Sequence, residues 1–199
     1  MWKKIIITAI TIGILLCVLV PASLAAELNI KGEACILVDG VSGEVLYAQH
    51  ADKKWFPASI TKIMTMVLAL EAIEQGKADL DDLVPTSEYA ASMGGSQVYL
   101  YPGETRTLHE MLIAIAVGSG NDASVAVAEH LEGTHQNFVD RMNRQAKMLG
   151  LKNTNFVNAY GLPAENHYSS AYDLAVMARY ALQYPKILEY TSIKEYNLR

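Results

Sequence analysis

The most informative segment of this chain is Phe56-Pro57-Ala58-Ser59-Ile60-Thr61-Lys62-Ile63-Met64-Thr65. It opens a stretch, residues 58–75, in which apolar side chains recur on one broad helical stripe, and a proline suits the first turn of a helix. We therefore predict a helix over residues 58–75. Ser59 and Lys62 are three residues apart in its first turn, so their side chains are expected on one face.

A hydroxyl and an amine in this arrangement can support nucleophilic catalysis. A serine hydroxyl is nearly inert at neutral pH unless a base takes its proton, and a lysine is such a base only when its pKa is lowered. The helix N-terminus would add partial positive charge beside a developing oxyanion. Alone the pattern is weak, because about one Ser-x-x-Lys is expected by chance in a chain of this length. A helix-opening serine followed by a solvated lysine is the alternative interpretation.

The second element is Ser119-Gly120-Asn121, the only Ser-x-Asn in the sequence. It lies on a short connection between two predicted helices. One interpretation makes Asn121 or Asp122 a helix cap. The other gives Ser119 the transfer of a proton and Asn121 the binding of a substrate's peptide group, as a Ser/Lys acyl-transfer site requires.

Three long segments, in the same order, resemble those of a known family. They are residues 56–65, quoted above, Gly118-Ser119-Gly120-Asn121-Asp122-Ala123-Ser124 and His167-Tyr168-Ser169-Ser170-Ala171-Tyr172-Asp173-Leu174. All three are similar to segments of the D-alanyl-D-alanine carboxypeptidases, the low-molecular-weight penicillin-binding proteins of the serine β-lactamase/transpeptidase-like superfamily. The resemblance covers nearly all of residues 34–199.

The resemblance implies both a fold and an activity. The fold would be α/β (α+β), β-lactamase/transpeptidase-like, with helices around a central antiparallel sheet. The activity would be that of a serine-type D-Ala-D-Ala carboxypeptidase. In it Ser59 is the nucleophile and Lys62 the general base, while Ser119 passes a proton and Asn121 holds the substrate amide. The implied partners are peptidoglycan stem peptides and β-lactam antibiotics, and no cofactor is implied.

The sequence departs from the family at its third element, a Lys-Thr-Gly or Lys-Ser-Gly strand beside the nucleophile. No lysine here is followed by Thr-Gly or Ser-Gly, and the sequence ends at Arg199 before the expected place of that strand. Loss of an oxyanion donor on such a strand costs about 10²–10³ in rate. We therefore expect residues 26–199 to be the N-terminal part of a catalytic domain, lacking its C-terminal strands. Peripheral membrane association is expected only through a C-terminal region that this sequence does not include.

The N-terminus has the order of a secretory signal. Lys3 and Lys4 precede an apolar run over residues 5–20, and Pro21-Ala22-Ser23-Leu24-Ala25-Ala26 follows. The run is shorter than the roughly 20 residues that a spanning helix needs. Residues 1–25 are therefore predicted to be a cleaved signal peptide. The mature protein is expected outside the cytoplasm, in the periplasm or at the outer face of the cytoplasmic membrane.

Composition and charge exclude several other classes. Loss of Lys3 and Lys4 takes the formal charge from −5 to −7 and leaves no basic cluster, so nucleic acid is not an expected partner. His109-Glu110 lacks the second histidine of a zinc-binding His-Glu-x-x-His, since position 113 is isoleucine, and no metal is predicted. Cys35 is alone in the mature chain and is expected to be a buried strand thiol.

Two alternative functions stay open. A class A serine β-lactamase carries Ser-Asp-Asn where this chain has Ser119-Gly120-Asn121, and a Glu-x-x-Leu-Asn loop that we do not find. Fast release of penicillin would identify such an enzyme. A catalytically silent muropeptide-binding protein would bind stem peptides without releasing D-alanine, and the missing third element favours it for the 199 residues taken alone.

The remaining pattern gives a coarse map of the chain. A hairpin is predicted from strands at residues 34–38 and 44–48, and an irregular excursion over residues 76–103, of a kind that often borders a site. Tyr99, Tyr101 and Tyr168 either line a peptide cleft or are ordinary half-buried aromatics. His167 either borders the site or has a structural role in its loop. Further helices are predicted at residues 108–117, 123–131, 136–149 and 171–183, and a strand at residues 193–198.

Overall fold

The computed structural model describes Trp2 and residues 30–198. Apart from Trp2, the predicted signal peptide, residues 1–25, lies outside the described residues. The chain divides into two units, Met1–Lys31 and Gly32–Arg199, and all elements below belong to the second. Among the described residues, no helix has the length and apolar character needed to cross a membrane.

The N-terminal hairpin is present as predicted. Strands β1 (Cys35–Val38) and β2 (Val45–Gln49) pair antiparallel. The turn between them is held by Asp39, whose Oδ1 accepts hydrogen bonds from the backbone N–H of Ser42 at 2.6 Å and from its hydroxyl at 2.8 Å. These bonds favour the carboxylate and lower the pKa of Asp39. One side chain therefore fixes where the chain reverses.

Helix α1 (Thr61–Glu74) runs through the core, and a 3₁₀ turn, Ala58–Ile60, precedes it. The predicted helix over residues 58–75 is confirmed, with its first three residues wound more tightly. The apolar side chains of α1 divide between two buried clusters, Met66, Val67 and Leu70 in one, Met64 and Leu68 in the other. Because α1 is buried on nearly all sides, its polar residues must find partners inside the protein.

The stretch that follows α1 is more regular than predicted. Strand β3 (Leu83–Pro85) pairs antiparallel with β4 (Thr105–Thr107), and a short helix, α2 (Glu88–Ala91), lies between them in sequence. The prediction of an irregular excursion was wrong at these places, because three-residue strands are too short to show an alternating pattern. Its residues do reach the candidate site, where the carbonyl of Gly94 contacts Asn121.

Two consecutive helices carry the second motif between them. Helix α3 (Leu108–Gly118) and helix α4 (Asn121–Glu132) agree with the predicted helices. The alternative in which Asn121 or Asp122 caps α4 was wrong, because Gly120 is the N-cap and the N-cap side chain makes no capping hydrogen bond. Asn121 bonds Lys62 in α1, and Asp122 accepts from the preceding loop as well as from the neighbouring N–H of Ala123.

The C-terminal third is helical. Helices α5 (His135–Met148) and α6 (Ala171–Ala181) agree with prediction, but α7 (Pro185–Thr191) was not predicted. In the sequence, Pro185 indicates only the end of the helix predicted over residues 171–183, whereas a proline in the first turn can also start a helix. The strand predicted at residues 193–198 is wrong, since these residues are irregular. Helix α6 packs on β1 and on α1. Helices combined with small antiparallel sheets fit the predicted α/β (α+β) class.

Candidate active site

Ser59 lies at the N-terminal end of α1, inside the 3₁₀ turn, and its side chain is exposed. The preceding residue, Ala58, has a φ of 48°, in the left-handed region that costs a non-glycine residue about 1–2 kcal/mol. Close packing keeps Ala58 in this conformation. Gly161 lies so near the Ala58 carbonyl that a Cβ on Gly161 would overlap it. The serine is thus presented to solvent on a rigid turn, beside the positive end of the α1 dipole.

Lys62 is the buried partner of Ser59, with only 4% of its surface exposed. Its Nζ lies 3.5 Å from Ser59 Oγ and donates hydrogen bonds of 2.7 Å to Asn121 Oδ1 and to the carbonyl oxygen of Tyr160. Burial disfavours the ammonium and lowers the pKa of Lys62 from 10.5 to about 8, while the negative charge of Asp122 opposes this shift. With that pKa, roughly a tenth of the lysine is neutral at pH 7.

The two oxygen acceptors also orient the lysine amine. A neutral amine has two N–H groups and one lone pair. Asn121 Oδ1 and the Tyr160 carbonyl only accept hydrogen bonds, so they take the two N–H groups. The lone pair is then left for the hydroxyl of Ser59. Lys62 therefore has both the lowered pKa and the orientation of a general base.

Ser119 approaches Ser59 from the connection between α3 and α4. It is the C-cap of α3 and adopts a left-handed conformation, with φ 52° and ψ 35°. Its Oγ donates a hydrogen bond of 3.0 Å to Ser59 Oγ. The structure thus brings the two predicted motifs together, and two hydroxyls and an amine form a connected path for a proton.

Asn121 is brought to the site as well, but with both ends of its amide occupied. It is 3% exposed; Oδ1 accepts from Lys62, and Nδ2 donates to the carbonyl of Gly94 at 2.7 Å. The loop can come this close because Gly95 has no side chain; a Cβ at this position would lie 2.9 Å from Asn121 Nδ2. Asn121 is therefore a partner of Lys62 in this structure, and its role in holding a substrate amide stays a prediction.

The sequence analysis missed one part of the site, the segment Asn158-Ala159-Tyr160-Gly161, which we call the 158–161 turn. Tyr160 supplies the carbonyl on Lys62, Gly161 packs on Ala58, and the carbonyl of Ala159 accepts a 2.7 Å hydrogen bond from Thr65 Oγ1. These contacts use backbone atoms of the turn, and backbone atoms leave no residue-type signal. The sequence signal for this turn was the glycine at position 161, a residue type that adopts a positive φ readily; its φ is 95°.

His167 is buried and packs against the start of α1. It is 1% exposed; Nδ1 accepts a 3.1 Å hydrogen bond from the backbone N–H of Val157, and Nε2 lies 3.0 Å from Thr61 Oγ1. Because Nδ1 accepts, the neutral ring carries its proton on Nε2 and donates it to Thr61. Burial lowers the pKa of His167 to about 4. Its place is that of a neutral structural anchor for the start of α1.

The other candidates do not enter the contacts described above. Tyr99 and Tyr101 are 71% and 67% exposed, and Tyr168 lies under the ammonium of Lys54, 4.3 Å from its ring centre. Cys35 is in a strand, as predicted, but is only partly buried. In the part of the chain that the structure describes, no group of three or more His, Cys, Asp or Glu side chains could hold a metal ion.

Comparison with known proteins decides the family. The family model described as D-alanyl-D-alanine carboxypeptidase matches residues 21–199. The chain belongs to the D-alanyl-D-alanine carboxypeptidase family. This match confirms the resemblance seen in the three sequence segments.

A curated relative and two solved structures are similar to most of this chain. DacF of Bacillus subtilis is 47% identical over 203 residues, which cover 98% of this chain and 52% of DacF. The structure of penicillin binding protein 5 from Haemophilus influenzae has a TM-score of 0.82 at 35% identity, covering 84% of this chain and 50% of that one. Penicillin-Binding Protein D2 from Listeria monocytogenes, solved in its ampicillin bound form, has a TM-score of 0.74 at 30% identity over 83% of this chain and 68% of that one. These likenesses confirm the predicted fold class. The chain spans about half the length of the curated relatives it matches.

Proposed function

We propose that the native protein is a serine-type D-Ala-D-Ala carboxypeptidase, which removes the terminal D-alanine from peptidoglycan stem peptides through an acyl-enzyme on Ser59. The observation that carries the proposal is the connected series Ser119 Oγ, Ser59 Oγ and Lys62 Nζ, with separations of 3.0 and 3.5 Å. A serine held between a buried lysine and a second hydroxyl is equipped for acyl transfer without a cofactor. The names of the family members are consistent with the same reaction.

The first step joins Ser59 Oγ to the carbonyl carbon of the penultimate D-alanine. As this bond forms, neutral Lys62 takes the hydroxyl proton, because its lone pair is the one part of the amine not engaged by an acceptor. The developing oxyanion gains from the positive end of the α1 dipole. A tetrahedral intermediate results, with the proton on Lys62.

The second step breaks the peptide bond, and the leaving nitrogen needs a proton. We assign this proton to Ser119, whose hydroxyl lies 3.0 Å from Ser59 Oγ. It protonates the nitrogen as the C–N bond breaks and takes back the proton that Lys62 holds. Water then attacks the ester carbonyl and gives a proton to the same lysine, which passes it to Ser59 Oγ as the ester C–O bond breaks. A β-lactam would acylate the same serine, and its leaving nitrogen would stay tethered in the product.

The proposal includes a place of action. Residues 1–25 have the features of a signal peptide, so the protein would be exported and meet peptidoglycan in the cell envelope. Residues 26–199 would then form the N-terminal part of the catalytic domain. Membrane association would be peripheral and would use a C-terminal region of the native protein.

The test is the intact mass of the native full-length protein before and after incubation with benzylpenicillin, with Ser59→Ala as the matched control. We expect a stable penicilloyl adduct on the wild-type protein and none on the variant. The unmodified mass also reports whether residues 1–25 have been removed.

Each other outcome identifies a different function. Rapid turnover of penicillin with no lasting adduct would indicate a β-lactamase. A folded protein that bound muropeptides, took up no penicillin and released no D-alanine would overturn the proposal in favour of a silent binder.

A further inference from the structure

We propose that Asn158 is a positioning residue for Lys62, because it fixes the 158–161 turn so that the Tyr160 carbonyl is held on the lysine amine. Asn158 acts through the backbone of Tyr160 rather than through its own contact with the lysine. The effect of Asn158 on catalysis rests on the function proposed above.

The side chain of Asn158 makes its hydrogen bonds to the backbone of residues 160–162. It is 4% exposed; Oδ1 accepts hydrogen bonds from the backbone N–H groups of Tyr160 at 3.2 Å and Gly161 at 2.6 Å. Nδ2 donates to the carbonyl of Leu162 at 2.9 Å. A buried amide with partners on both ends allows few alternative arrangements, since any rotation would leave a polar group unpaired.

The residue between Asn158 and Tyr160 is also fixed. The backbone N–H of Ala159 donates to His135 Nε2 at 3.1 Å, and its carbonyl accepts from Thr65 Oγ1. The turn is therefore anchored on α1 and on α5, and its N–H groups are engaged from Ala159 to Gly161. The Tyr160 carbonyl is left pointing at Lys62, 2.7 Å from Nζ.

Loss of this arrangement would affect Lys62 in two ways. If the Tyr160 carbonyl moved away, one N–H of the neutral amine would lose its acceptor, and the lone pair would spend less time directed at Ser59. The ammonium would also lose an acceptor that favours the charged form, which lowers the lysine pKa further. Asp122, the charged group that raises the pKa of Lys62, is untouched by a change at Asn158.

The chain offers a matched control. Asn143 makes the same kind of paired bonds to the backbone, because its Nδ2 donates to the Phe156 carbonyl and its Oδ1 accepts from the Phe156 N–H, both at 2.8 Å. It holds the same loop two residues before Asn158 but does not support the Tyr160 carbonyl. Asn143→Ala therefore measures the cost of loosening the loop alone.

The experiment compares Asn158→Ala with Asn143→Ala in the native full-length protein. The Lys62 pKa is followed by NMR titration of ¹³C-labelled lysine, and the benzylpenicillin acylation rate is measured against pH. We expect Asn158→Ala to acylate at least about tenfold more slowly than Asn143→Ala. We also expect the Lys62 titration midpoint of Asn158→Ala to lie below that of the wild type. Asn158→Ser keeps a smaller acceptor, so its acylation rate and midpoint should lie between those of the wild type and Asn158→Ala.

Equal midpoints and equal acylation rates in Asn158→Ala and Asn143→Ala would overturn the inference. If the wild type took up no penicillin, the proposed function would fail, while the NMR midpoints would still decide the role of Asn158. If Asn158→Ala did not fold, Asn158→Ser would carry the same comparison, with a smaller shift expected in the same direction.

Discussion

Gly161 lies against the backbone of Ala58, so that a Cβ on Gly161 would overlap the Ala58 carbonyl oxygen and lie 2.5 Å from its carbonyl carbon. Ala58 precedes Ser59, the proposed nucleophile, and Gly161 follows Tyr160, whose carbonyl binds Lys62. One backbone contact therefore sets the strained serine turn against the turn that orients the base. Gly161 also has a φ of 95°, which side-chain-bearing residues rarely adopt.

Substitution of Gly161 by alanine is expected to displace the nucleophile. The added methyl group must push the Ala58 backbone away, and a shift of about 1 Å at a reacting group can cost 10²-fold in rate. We expect Gly161→Ala to reduce benzylpenicillin acylation by about that factor. Gly150→Ala is the control, because Gly150 also has a positive φ, 73°, but no atom within 4 Å of a built Cβ. Equal acylation rates in the two variants would contradict the prediction.

The rate of acylation is expected to depend on the neutral form of Lys62. Burial lowers the pKa of this lysine to about 8. If its neutral amine is the base, as proposed, the rate should rise about tenfold per pH unit below 8 and level off above it. Pre-steady-state acylation by a fluorescent penicillin across this range measures the profile. Lys62→Arg cannot lose its proton in this range, so its rate should lie about 10²–10⁴-fold below the wild-type plateau and should not rise toward pH 8. A flat wild-type profile would exclude Lys62 as the titrating base.

Local patterns predicted the parts of the site that local structure determines. The spacing of Ser59 and Lys62 on one helix, and the place of Ser119 between two helices, follow from periodicity and from glycines near Ser119. The 158–161 turn could not be predicted this way, because Tyr160 contributes a carbonyl oxygen that every residue has, to a lysine 98 positions away. Its contribution depends on tertiary packing, which a single sequence does not display.

Ser119 is expected to be needed for chemistry rather than for folding. Removal of its hydroxyl breaks the 3.0 Å contact with Ser59 and with it the route for the proton to the leaving nitrogen. We expect Ser119→Ala to slow D-alanine release from a stem peptide by about 10²–10⁴-fold. Ser124→Ala removes a buried hydroxyl bonded to the Gly120 carbonyl in the same connection and should leave the rate of the folded protein nearly unchanged. Similar losses in both variants would indicate a structural role for Ser119.

His167 is expected to make folding stability depend on pH below neutrality. Burial lowers its folded pKa from 6.5 to about 4, so between these values the unfolded chain binds more protons than the folded one. The contribution is complete above pH 6.5 and is lost as the pH falls through about 4. Protonation of Nδ1 would also remove the acceptor of the Val157 N–H.

Chemical denaturation at a series of pH values tests this role of His167. His167→Gln cannot gain the charge, so its free energy of unfolding should fall less than that of the wild type between pH 6.5 and 4. Parallel curves for wild type and His167→Gln would rule out His167 as the titrating group.

Asp122 is expected, through its negative charge, to keep the Lys62 pKa from falling further. It is 1% exposed, and its Oδ2 accepts from the backbone N–H groups of Val98 at 3.2 Å and Leu100 at 3.0 Å. Its charge raises the pKa that burial lowers. Asp122→Asn removes the charge, so the midpoint of the acylation profile should move below 8, with more of the protein active at neutral pH.

The same substitution also has a structural cost that must be separated from the electrostatic one. An amide cannot satisfy every donor that the carboxylate accepts, and one unpaired buried group costs about 1–3 kcal/mol. Asp173→Asn is the matched control, because Asp173 is 2% exposed and its Oδ2 accepts from the Asn153 N–H and Thr154 Oγ1, both at 2.7 Å. Both variants should lose stability, but only Asp122→Asn should shift the acylation midpoint. If the midpoint stayed at its wild-type value in both, the charge of Asp122 would have no effect on the base, and the lysine pKa would have to be set by burial and its two oxygen acceptors alone.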